Sequence, residues 1–348
     1  MISRAEVLRD ALMKDTRPVS VDISCTVYNH GKYLREALNG MLMQETNFPY
    51  KIIIHDDAST DDSSVIIREY QAKYPDKITA VIEEENLYQN GKSIISKMIP
   101  YYTAKYIASC EGDDYWIDKN KLQKQVDYLE KNPDCIACYH NILPVNVDGK
   151  YDESLRNGYD LLEEGDYSEK EIKRFALKTQ TASLVRRNFF SFMSETDCNV
   201  FKTTKCNGDE KTLLICGVIG RVHFLPDVMA AHRRVFNGDS YTARQFRKSK
   251  IDILIGREQR ILEKCKFYNY FTGKQIYPYN QIICDRIIFL SKYYKELDKG
   301  GLEKLHHTLP IPIYAYLVFI PYSFLIIIRK FCRYGINKIS MAFANNRK

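Results

Sequence analysis

The chain has 348 residues, of which 45% are hydrophobic and 27% charged, so it holds enough apolar material for a large folded core and disorder is not expected. Its formal charge of +7 is concentrated in residues 301–348, where seven Lys and Arg side chains are accompanied by a single acid, Glu303. The rest of the chain is therefore nearly neutral, which argues against an extended basic surface that binds nucleic acid.

Short apolar runs alternate with helical periods between residues 19 and 145. Residues 19–29 predict a first strand, and residues 32–44 carry the apolar stripe of an amphipathic helix. The same patterns predict four more strands and three more helices: strands at 50–57, 76–84, 104–110 and 134–145, and helices at 59–74, 91–103 and 118–132. Strands that alternate with helices imply right-handed crossovers and a mostly parallel sheet.

This regular alternation fades after residue 145. Residues 151–166 read as an acidic loop, and the next segment begins with a Ser168/Glu171 capping box that predicts a helix. A strand, a helix and a strand are then predicted at 181–187, 208–220 and 222–234. Residues 240–300 are charged and helical in pattern, without internal repeats.

Acidic side chains follow two of the predicted strands where each strand ends. Asp56 and Asp57 follow the second strand, and Glu111, Asp113 and Asp114 follow the fourth. Ligands of parallel sheets bind beyond the carboxyl ends of the strands, so both groups are expected to share one cleft. Aspartate is also a common turn residue, which explains the first pair equally well. The second group calls for a cation or an array of donors, because crowded carboxylates repel one another.

A hard divalent cation, Mg²⁺ or Mn²⁺, suits such oxygen ligands, and substrate phosphates usually complete its coordination. The sequence has no P-loop motif and no GxGxxG fingerprint after the first strand. That strand ends in CTVYNHG rather than in an aspartate pair, which disfavours phosphatases with an aspartate nucleophile. Cys135 and Cys138 have no second CxxC partner, so a closed zinc site is not expected. The predicted ligand is therefore a diphosphate.

Three segments in this order resemble the nucleotide-binding half of family 2 glycosyltransferases: TVYNHGKYLREALNGMLMQ (26–44), IIIHDDASTDDS (52–63) and EGDDYW (111–116). The resemblance is clear over about residues 19–145 and thinner from there to residue 240. It implies an α/β fold of the GT-A type, with a Rossmann-like, mostly parallel central sheet flanked by helices. It also implies a nucleotide-sugar donor, with a UDP-sugar favoured, and a metal-assisted, inverting transfer.

The resemblance assigns roles to particular residues of this first half. Asp56 would hydrogen-bond a pyrimidine ring, and Glu111 to Asp113 would form the DxD-type motif at the metal and the sugar diphosphate. Asp113 is the implied ligand of the Mg²⁺ or Mn²⁺ ion, with Asp114 and His232 as further candidates. The implied donor-binding set is Thr26, Val27, Tyr28, Asn29, Asp56, Asp57, Ser59, Asn86, Lys92, Glu111, Gly112, Asp113, Asp114 and Trp116.

Several of these assignments have structural alternatives. Glu111 stands where the family usually has Asp, which leaves its role open. Trp116, predicted to pack beside the donor sugar, is equally consistent with a place in the core. Asn86 and Lys92 are equally consistent with a solvated loop.

The general base is expected from the second half of the catalytic domain. In the resembling family it is often the acid that opens a helix, and the matching segment here is Gly208-Asp209-Glu210, so Asp209 is predicted as the base. Acids in the first turn of a helix are also favoured by the helix dipole alone. His232 stands near the place of the family's R-x-H motif, and Arg233 or Arg234 could neutralise a diphosphate. Structural roles are the alternative for all three.

Residues 309–328 are uncharged and long enough to cross a bilayer if they are helical, and a basic segment follows them. Prolines within the stretch argue against a continuous spanning helix. An interfacial or re-entrant arrangement would place the basic tail on anionic headgroups and the catalytic domain at the cytoplasmic face of the membrane. Burial against the catalytic domain or an oligomer partner is the alternative.

These observations predict a GT-A catalytic domain followed by a C-terminal helical, membrane-associating extension. The predicted function is transfer of a sugar from a nucleotide-sugar donor to a hydroxyl of a glycan or lipid-linked acceptor. A catalytically weak relative that serves as a membrane-bound scaffold is the alternative, and YNHGKYL matches a nucleotidyltransferase loop poorly. The predicted boundaries are 1–240 for the catalytic domain (donor half 19–145, acceptor half 146–240), 241–305 for the helical extension and 306–348 for the tail.

Overall fold

The computed structural model describes residues 2–156, 161–173, 178–235 and 248–276, together with Ile282, Ile283, Asp285, Arg286 and Phe289. The chain divides into two compact units, one made of Met1–Phe236 with Tyr270–Gly273 and the other of Asn237–Asn269 with Lys274–Lys348. The predicted tail at 306–348 lies outside the described residues. In the part of the chain that is described, no helix combines the length and the apolar character needed to cross a membrane.

Nine strands in the described residues join into one sheet of the first unit. The strands are β1 (Val21–Val27), β2 (Tyr50–Asp56), β3 (Ile78–Ile82), β4 (Tyr106–Ser109), β5 (Tyr115–Trp116), β6 (Cys135–Val145), β7 (Gly165–Asp166), β8 (Val185–Arg187) and β9 (Arg221–Arg233). Their order across the sheet is β3-β2-β1-β4-β8-β6-β9-β5, and β7 pairs with β9.

The described helices flank or follow this sheet. They are α1 (Arg4–Met13), α2 (Gly31–Leu42), α3 (Ser63–Lys73), α4 (Ile95–Met98), α5 (Lys121–Lys131), α6 (Glu169–Lys173), α7 (Glu195–Thr203), α8 (Gly208–Ile219) and α9 (Lys250–Thr272). The predicted capping box is present at α6, where Ser168 N–H donates to Glu171 at 2.8 Å. Short 3₁₀ segments complete the described structure.

The sheet is mixed rather than uniformly parallel. β1 pairs in parallel with β2 and with β4, as the alternation of strands and helices predicts. β8 is antiparallel to both β4 and β6 and joins the parallel group β3-β2-β1-β4 to the parallel pair β6-β9. The two-residue strand β5, which the sequence pattern did not reveal, is antiparallel to β9. This pairing brings the end of β9 next to the acidic segment that precedes β5.

One apolar core joins the faces of β1, β2 and β4 to helices α2, α3 and α5. Ile23, Leu38, Ile67 and Val126 are among its buried members. The buried β-branched run at residues 52–54 explains the strand structure of β2, whereas β1 alternates apolar side chains with Asp22, Ser24 and Thr26 and is still largely buried on both faces. In α2 the apolar positions recur at the spacing of one helix face, which packs on the sheet.

Helix α2 and strand β5 are in direct backbone contact at Gly40. A Cβ atom at position 40 would lie 2.7 Å from the carbonyl oxygen of Trp116 and 2.9 Å from its backbone nitrogen. Neither backbone atom has a flexible end that could turn away. Glycine at this position therefore sets the distance between α2 and the segment that carries the acidic residues.

We expect Gly40→Ala to lower the free energy of unfolding by about 1–3 kcal/mol, because the added methyl group forces α2 away from β5. Gly256→Ala is the matched control, since Gly256 also lies inside a helix but its Cβ would approach only Arg260 Nη1, at 3.6 Å. That control should be neutral or stabilising by up to about 1 kcal/mol. Thermal and urea denaturation followed by circular dichroism measure both effects. Equal stability of the Gly40→Ala and parent proteins would contradict this close packing.

Candidate active site

The register of β1 with its neighbours brings the acidic residues to one edge of the sheet. Val27, the last residue of β1, is paired with Asp56 at the end of β2. On the other side, Gly112 N–H donates to the carbonyl of Thr26 at 3.0 Å, so the acidic run after β4 continues alongside β1. A Cβ atom at Gly112 would lie 2.9 Å from His30 Nδ1 and from a methyl carbon of Val27, so only glycine fits there.

Asp56 is fully buried, and only one of its carboxylate oxygens is hydrogen-bonded. Ser59 donates to Oδ1 through its backbone N–H, at 3.2 Å, and through its hydroxyl group. The second oxygen, Oδ2, is buried and has no hydrogen-bond partner among the described residues. Burial raises the pKa of Asp56 above its ordinary value. An N–H group of a ligand placed at Oδ2 would therefore be stabilised.

The neighbouring residue Asp57 is bonded entirely within the protein. Its carboxylate accepts the backbone N–H groups of Leu87 and Tyr88 at 2.7 and 3.1 Å. Its carbonyl oxygen accepts the side-chain amide of Asn86 at 2.9 Å. Asp57 and Asn86, both predicted as donor contacts, thus hold the loop after β3 against the end of β2.

The start of α2 is held by the loop that follows β2. Asn29 adopts a left-handed conformation with φ of 56°, which turns the chain from β1 into the helix. Three backbone N–H groups at this helix end donate to side chains, at 2.9, 2.9 and 2.8 Å: Asn29 to Ser59, His30 to Ser63, and Gly31 to Asp61. These N–H groups are already satisfied and do not form an open anion site.

Asp113 and Asp114 are adjacent in sequence but have different surroundings. The Asp113 side chain is 28% exposed, and His30 Nε2 lies 3.7 Å from its Oδ2. The Asp114 side chain is 2% exposed. It accepts the backbone N–H of Arg233 at 2.9 Å and lies 3.1 Å from His232 Nδ1. Asp113 is therefore the acid that remains accessible, whereas Asp114 binds the end of β9.

The charges of this cluster act on one another. Burial raises the pKa of Asp113, and the charge of Asp114 raises it further, while His30 acts in the opposite direction. For His232, burial lowers the pKa, but the hydrogen bond and charge of Asp114 outweigh it, and the pKa lies above its ordinary value. Because Asp114 accepts from Nδ1, the nitrogen of a neutral His232 that is left for another partner is Nε2.

Glu111 and Asp209 come from different elements of the fold, and their charges interact. The pKa of Glu111 is raised well above its usual range, first by burial and then by the charges of Asp113, Asp114 and Asp209. Asp209 lies in the first turn of α8, where its Oδ1 accepts the backbone N–H of Glu210 at 2.7 Å. The predicted base and the first acid of the EGDD segment are therefore close enough for their charges to interact.

The prediction that Arg233 could neutralise a diphosphate is not supported by its surroundings. Its guanidinium group donates to the carbonyls of Asp113, Asn146 and Val147, at 3.1 to 3.2 Å, and to the carboxylate of Glu36. The side chain is buried and packs on the ring of Tyr33. Arg233 therefore fixes the acidic segment to α2 and β6 instead of facing the cleft.

The prediction that Trp116 packs beside the donor sugar is wrong. Trp116 is 1% exposed, and its indole N–H donates to the carbonyl of Ala182 at 2.9 Å. The buried ammonium group of Lys121 lies 4.2 Å from the centre of its ring. The tryptophan is therefore a member of the apolar core, which was the structural alternative.

Two further predicted contacts lie at the rim of the cleft. The hydroxyl of Tyr28 accepts from the side-chain amide of Gln89 at 3.2 Å, which ties the end of β1 to the loop after β3. Lys92 is largely exposed and lies 3.7 Å from Glu85. His30 was not predicted as a site residue, because no sequence pattern tells which way a residue at a helix start will face.

The donor groups at this edge fit a divalent cation that takes only part of its coordination from the protein. Asp113 offers an accessible carboxylate, and His232 offers Nε2 with its ring fixed through Nδ1 by Asp114. Within the described ranges, no three His, Cys, Asp or Glu side chains form a group that could hold a metal ion by themselves. Asp114, a predicted ligand, is instead engaged by Arg233 and orients the ring of His232.

Comparison with known proteins finds similarity mainly in the first part of the chain. The family model for glycosyl transferase family 2 matches residues 23–193. An uncharacterized protein of Mycobacterium tuberculosis strain H37Rv is 42% identical over 130 residues, which are 37% of this chain and 36% of that protein. An uncharacterized glycosyltransferase of Nostoc sp. strain PCC 7120 is 30% identical over 124 residues, 36% of this chain and 37% of its own. The chain thus spans about a third of the length of these relatives.

Among solved structures, residues 1–349 of S. aureus TarS, crystallised with UDP-GlcNAc, superimpose with a TM-score of 0.54 at 12% sequence identity. The match covers 84% of this chain and 80% of the TarS chain. At this identity the likeness concerns the fold. The predicted α/β fold of the GT-A type is therefore confirmed for the part of the chain that carries the cleft.

We expect Asp57→Asn to loosen the loop after β3, because the amide group turns one of two acceptors into a donor that faces a backbone N–H. Hydrogen exchange at Leu87 and Tyr88 should then accelerate by about 10- to 100-fold, the equivalent of losing one charge-assisted hydrogen bond. Mass spectrometry of peptides covering residues 84–92 measures this. Asp62→Asn is the control, since Asp62 is exposed and makes no side-chain cap bond. Unchanged exchange in Asp57→Asn would contradict the role given to Asp57.

Proposed function

We propose that this chain, whose residues 23–193 match the family model for glycosyl transferase family 2, is a member of that family and transfers a sugar from a nucleotide-sugar donor to a hydroxyl group of an acceptor. The observation that supports this most directly is the meeting of three elements at one edge of the sheet. Asp56, with its unpaired oxygen, and the accessible Asp113 lie beside the carboxyl end of β1, and the helix-opening Asp209 is close enough for its charge to act on Glu111 of the same acidic segment. Asp56 would contact the nucleobase, Asp113 would hold the cation at the diphosphate, and Asp209 would act at the reacting sugar.

We infer that the donor is a UDP-sugar. Oδ2 of Asp56 is a buried acceptor that lacks a hydrogen-bond donor among the described residues, and the imide N–H of uracil would supply one. Leaving such a group unpaired costs about 1–3 kcal/mol, and a base that donates a hydrogen bond to it would recover that free energy on binding. Cytosine presents an unprotonated ring nitrogen at the same position and would leave the acceptor unpaired. The site thereby favours uracil over cytosine.

Mg²⁺ or Mn²⁺ would be held by Asp113 and by Nε2 of His232, with the donor diphosphate and water as the other ligands. When bound, the cation supplies Lewis-acid stabilisation of the charge that develops on the diphosphate. Asp114 keeps the His232 ring in place, and Arg233 keeps Asp113 and Asp114 in place from the other side. The protein thus fixes both ligands through neighbours that are themselves buried.

Asp209 is proposed as the general base of an inverting transfer. The acceptor hydroxyl attacks the anomeric carbon on the face opposite the leaving diphosphate and passes its proton to the carboxylate of Asp209. The bond between the anomeric carbon and the diphosphate oxygen breaks, and its electron pair leaves with the diphosphate.

The acceptor is proposed to be a glycan or a lipid-linked glycan at the cytoplasmic face of a membrane. This rests on the sequence, since residues 309–328 are uncharged and precede a basic segment that suits anionic headgroups. A flotation assay of the full chain with vesicles of phosphatidylglycerol tests the association. If the chain stays in the fractions that contain no vesicles, at both low and high salt, the result would count against membrane association.

The enzymatic proposal predicts separate effects for Asp113→Asn and Asp209→Asn. The first should weaken Mn²⁺-dependent UDP binding by about 10- to 100-fold, because a metal ligand is lost. The second should leave UDP binding intact and slow UDP release from UDP-sugars by about 10²- to 10⁴-fold, because the base is lost. Calorimetry and a coupled UDP assay measure the two quantities over a panel of UDP-sugars.

Glu69→Gln serves as the control for these variants, because Glu69 lies on α3 and forms an exposed ion pair with Arg35 of α2. It should bind and turn over donors like the parent protein. Binding of UDP by the parent without turnover of any donor would favour the scaffold alternative. Failure of the parent to bind any nucleoside diphosphate with Mn²⁺ would overturn the proposal as a whole.

A further inference from the structure

His30 lies at the accessible end of the acidic segment, although neither the resemblance nor the pattern of acids drew attention to it. It is the residue directly before α2, and its side chain is 22% exposed. Its Nε2 lies 3.7 Å from Oδ2 of Asp113, which is too far for a hydrogen bond. The imidazole therefore stands beside the carboxylate proposed to meet the cation, with Nε2 on the side of Asp113.

The two ring nitrogens of His30 have different surroundings. Nδ1 is buried, has no hydrogen-bond partner among the described residues and packs against Gly112, where a Cβ atom would lie only 2.9 Å from it. Nδ1 is therefore closed to a ligand. Nε2 lies on the side of the Asp113 carboxylate, and a carboxylate favours a hydrogen on the ring nitrogen that it faces. Nε2 is thus the nitrogen that presents an N–H group.

Other groups that commonly bind phosphate are already engaged at this edge. The backbone N–H groups of Asn29, His30 and Gly31 donate to side chains of the loop after β2. The guanidinium of Arg233 donates to three carbonyls and to Glu36. Next to Asp113, the Nε2–H of His30 is a donor that makes no hydrogen bond with any residue that the structure describes, so it suits an anionic ligand.

We propose that His30 is a catalytic residue that donates a hydrogen bond from Nε2–H to the β-phosphate of the nucleotide-sugar donor. This inference rests on the proposed function. As the bond between the anomeric carbon and the β-phosphate oxygen breaks, its electron pair moves onto the phosphate, and the growing negative charge strengthens the hydrogen bond. No proton is transferred by His30, so the ring is unchanged at the end of the reaction.

The test compares two substitutions that differ in reach. In His30→Gln the side-chain amide nitrogen stands near the position of Nε2, whereas in His30→Asn it stands near the position of Nδ1. Calorimetry with Mn²⁺ measures the affinity of the full chain for UDP and for UMP, which lacks the β-phosphate. The expected result is that His30→Asn loses about 10- to 100-fold in UDP affinity with UMP affinity unchanged, and that His30→Gln retains most of both.

Lys32→Gln is the matched control, because it removes a full positive charge two positions further along the same helix from a side chain that is 63% exposed. It should leave the ratio of UDP to UMP affinity unchanged. A general effect of positive charge near the cleft would appear in this variant, whereas a specific hydrogen bond would not. Comparable unfolding temperatures of all three variants show that the helix start is intact.

Three results would overturn the assignment of His30. These are equal UDP affinity in His30→Asn and the parent, equal loss in His30→Asn and His30→Gln, and equal loss of UDP and UMP affinity. If the parent protein binds UDP while one of these results is found, only the role of His30 fails. If the parent binds neither UDP nor UMP, the proposed function fails first, so the two failures are distinguishable.

Discussion

The carboxylate of Asp114 ties together parts of the sheet that are far apart in sequence. It belongs to the segment after β4, yet it accepts the backbone N–H of Arg233 and meets the ring of His232, both at the end of β9. Burial makes these bonds strong, since little water competes for the carboxylate. The donor half and the acceptor half of the cleft are thereby held at a fixed distance. Every role proposed for Asp113, His232 and Asp209 depends on that distance.

The first half of the fold was predictable from the sequence because its strands and helices carry clear local patterns. The continuous apolar run of β2 predicts a buried strand, and a helix such as α2 has a clear amphipathic pattern. The antiparallel strand β8 and the two-residue strand β5 were harder, because strand direction and very short pairings depend on tertiary partners that leave no local period. The sheet is consequently more mixed than the alternation of elements indicates.

Within the site, residue type was predictable and orientation was not. Acids at strand ends predict a cleft that binds a cation and a phosphate. Asp56 has a buried oxygen without a partner among the described residues, and Asp113 is partly exposed, as such a cleft requires. Trp116 and Arg233 are residue types that are common in binding sites. Here both side chains are buried and donate hydrogen bonds to carbonyl groups of the protein itself. For His30 the reverse holds. The sequence did not indicate a role in the site, and the proposed role follows from its position beside Gly112 and Asp113.

Helix α2 is held near both ends, at its start by Ser63 and Asp61 and in its last turn by the backbone of Trp116. A helix fixed twice along its length behaves as a rigid wall, so substitutions on its solvent side do not displace the cleft. Arg35, whose ion pair with Glu69 is exposed, occupies that side. A spectroscopic label attached there would provide a stationary reference point from which displacements of the other loops could be measured during turnover.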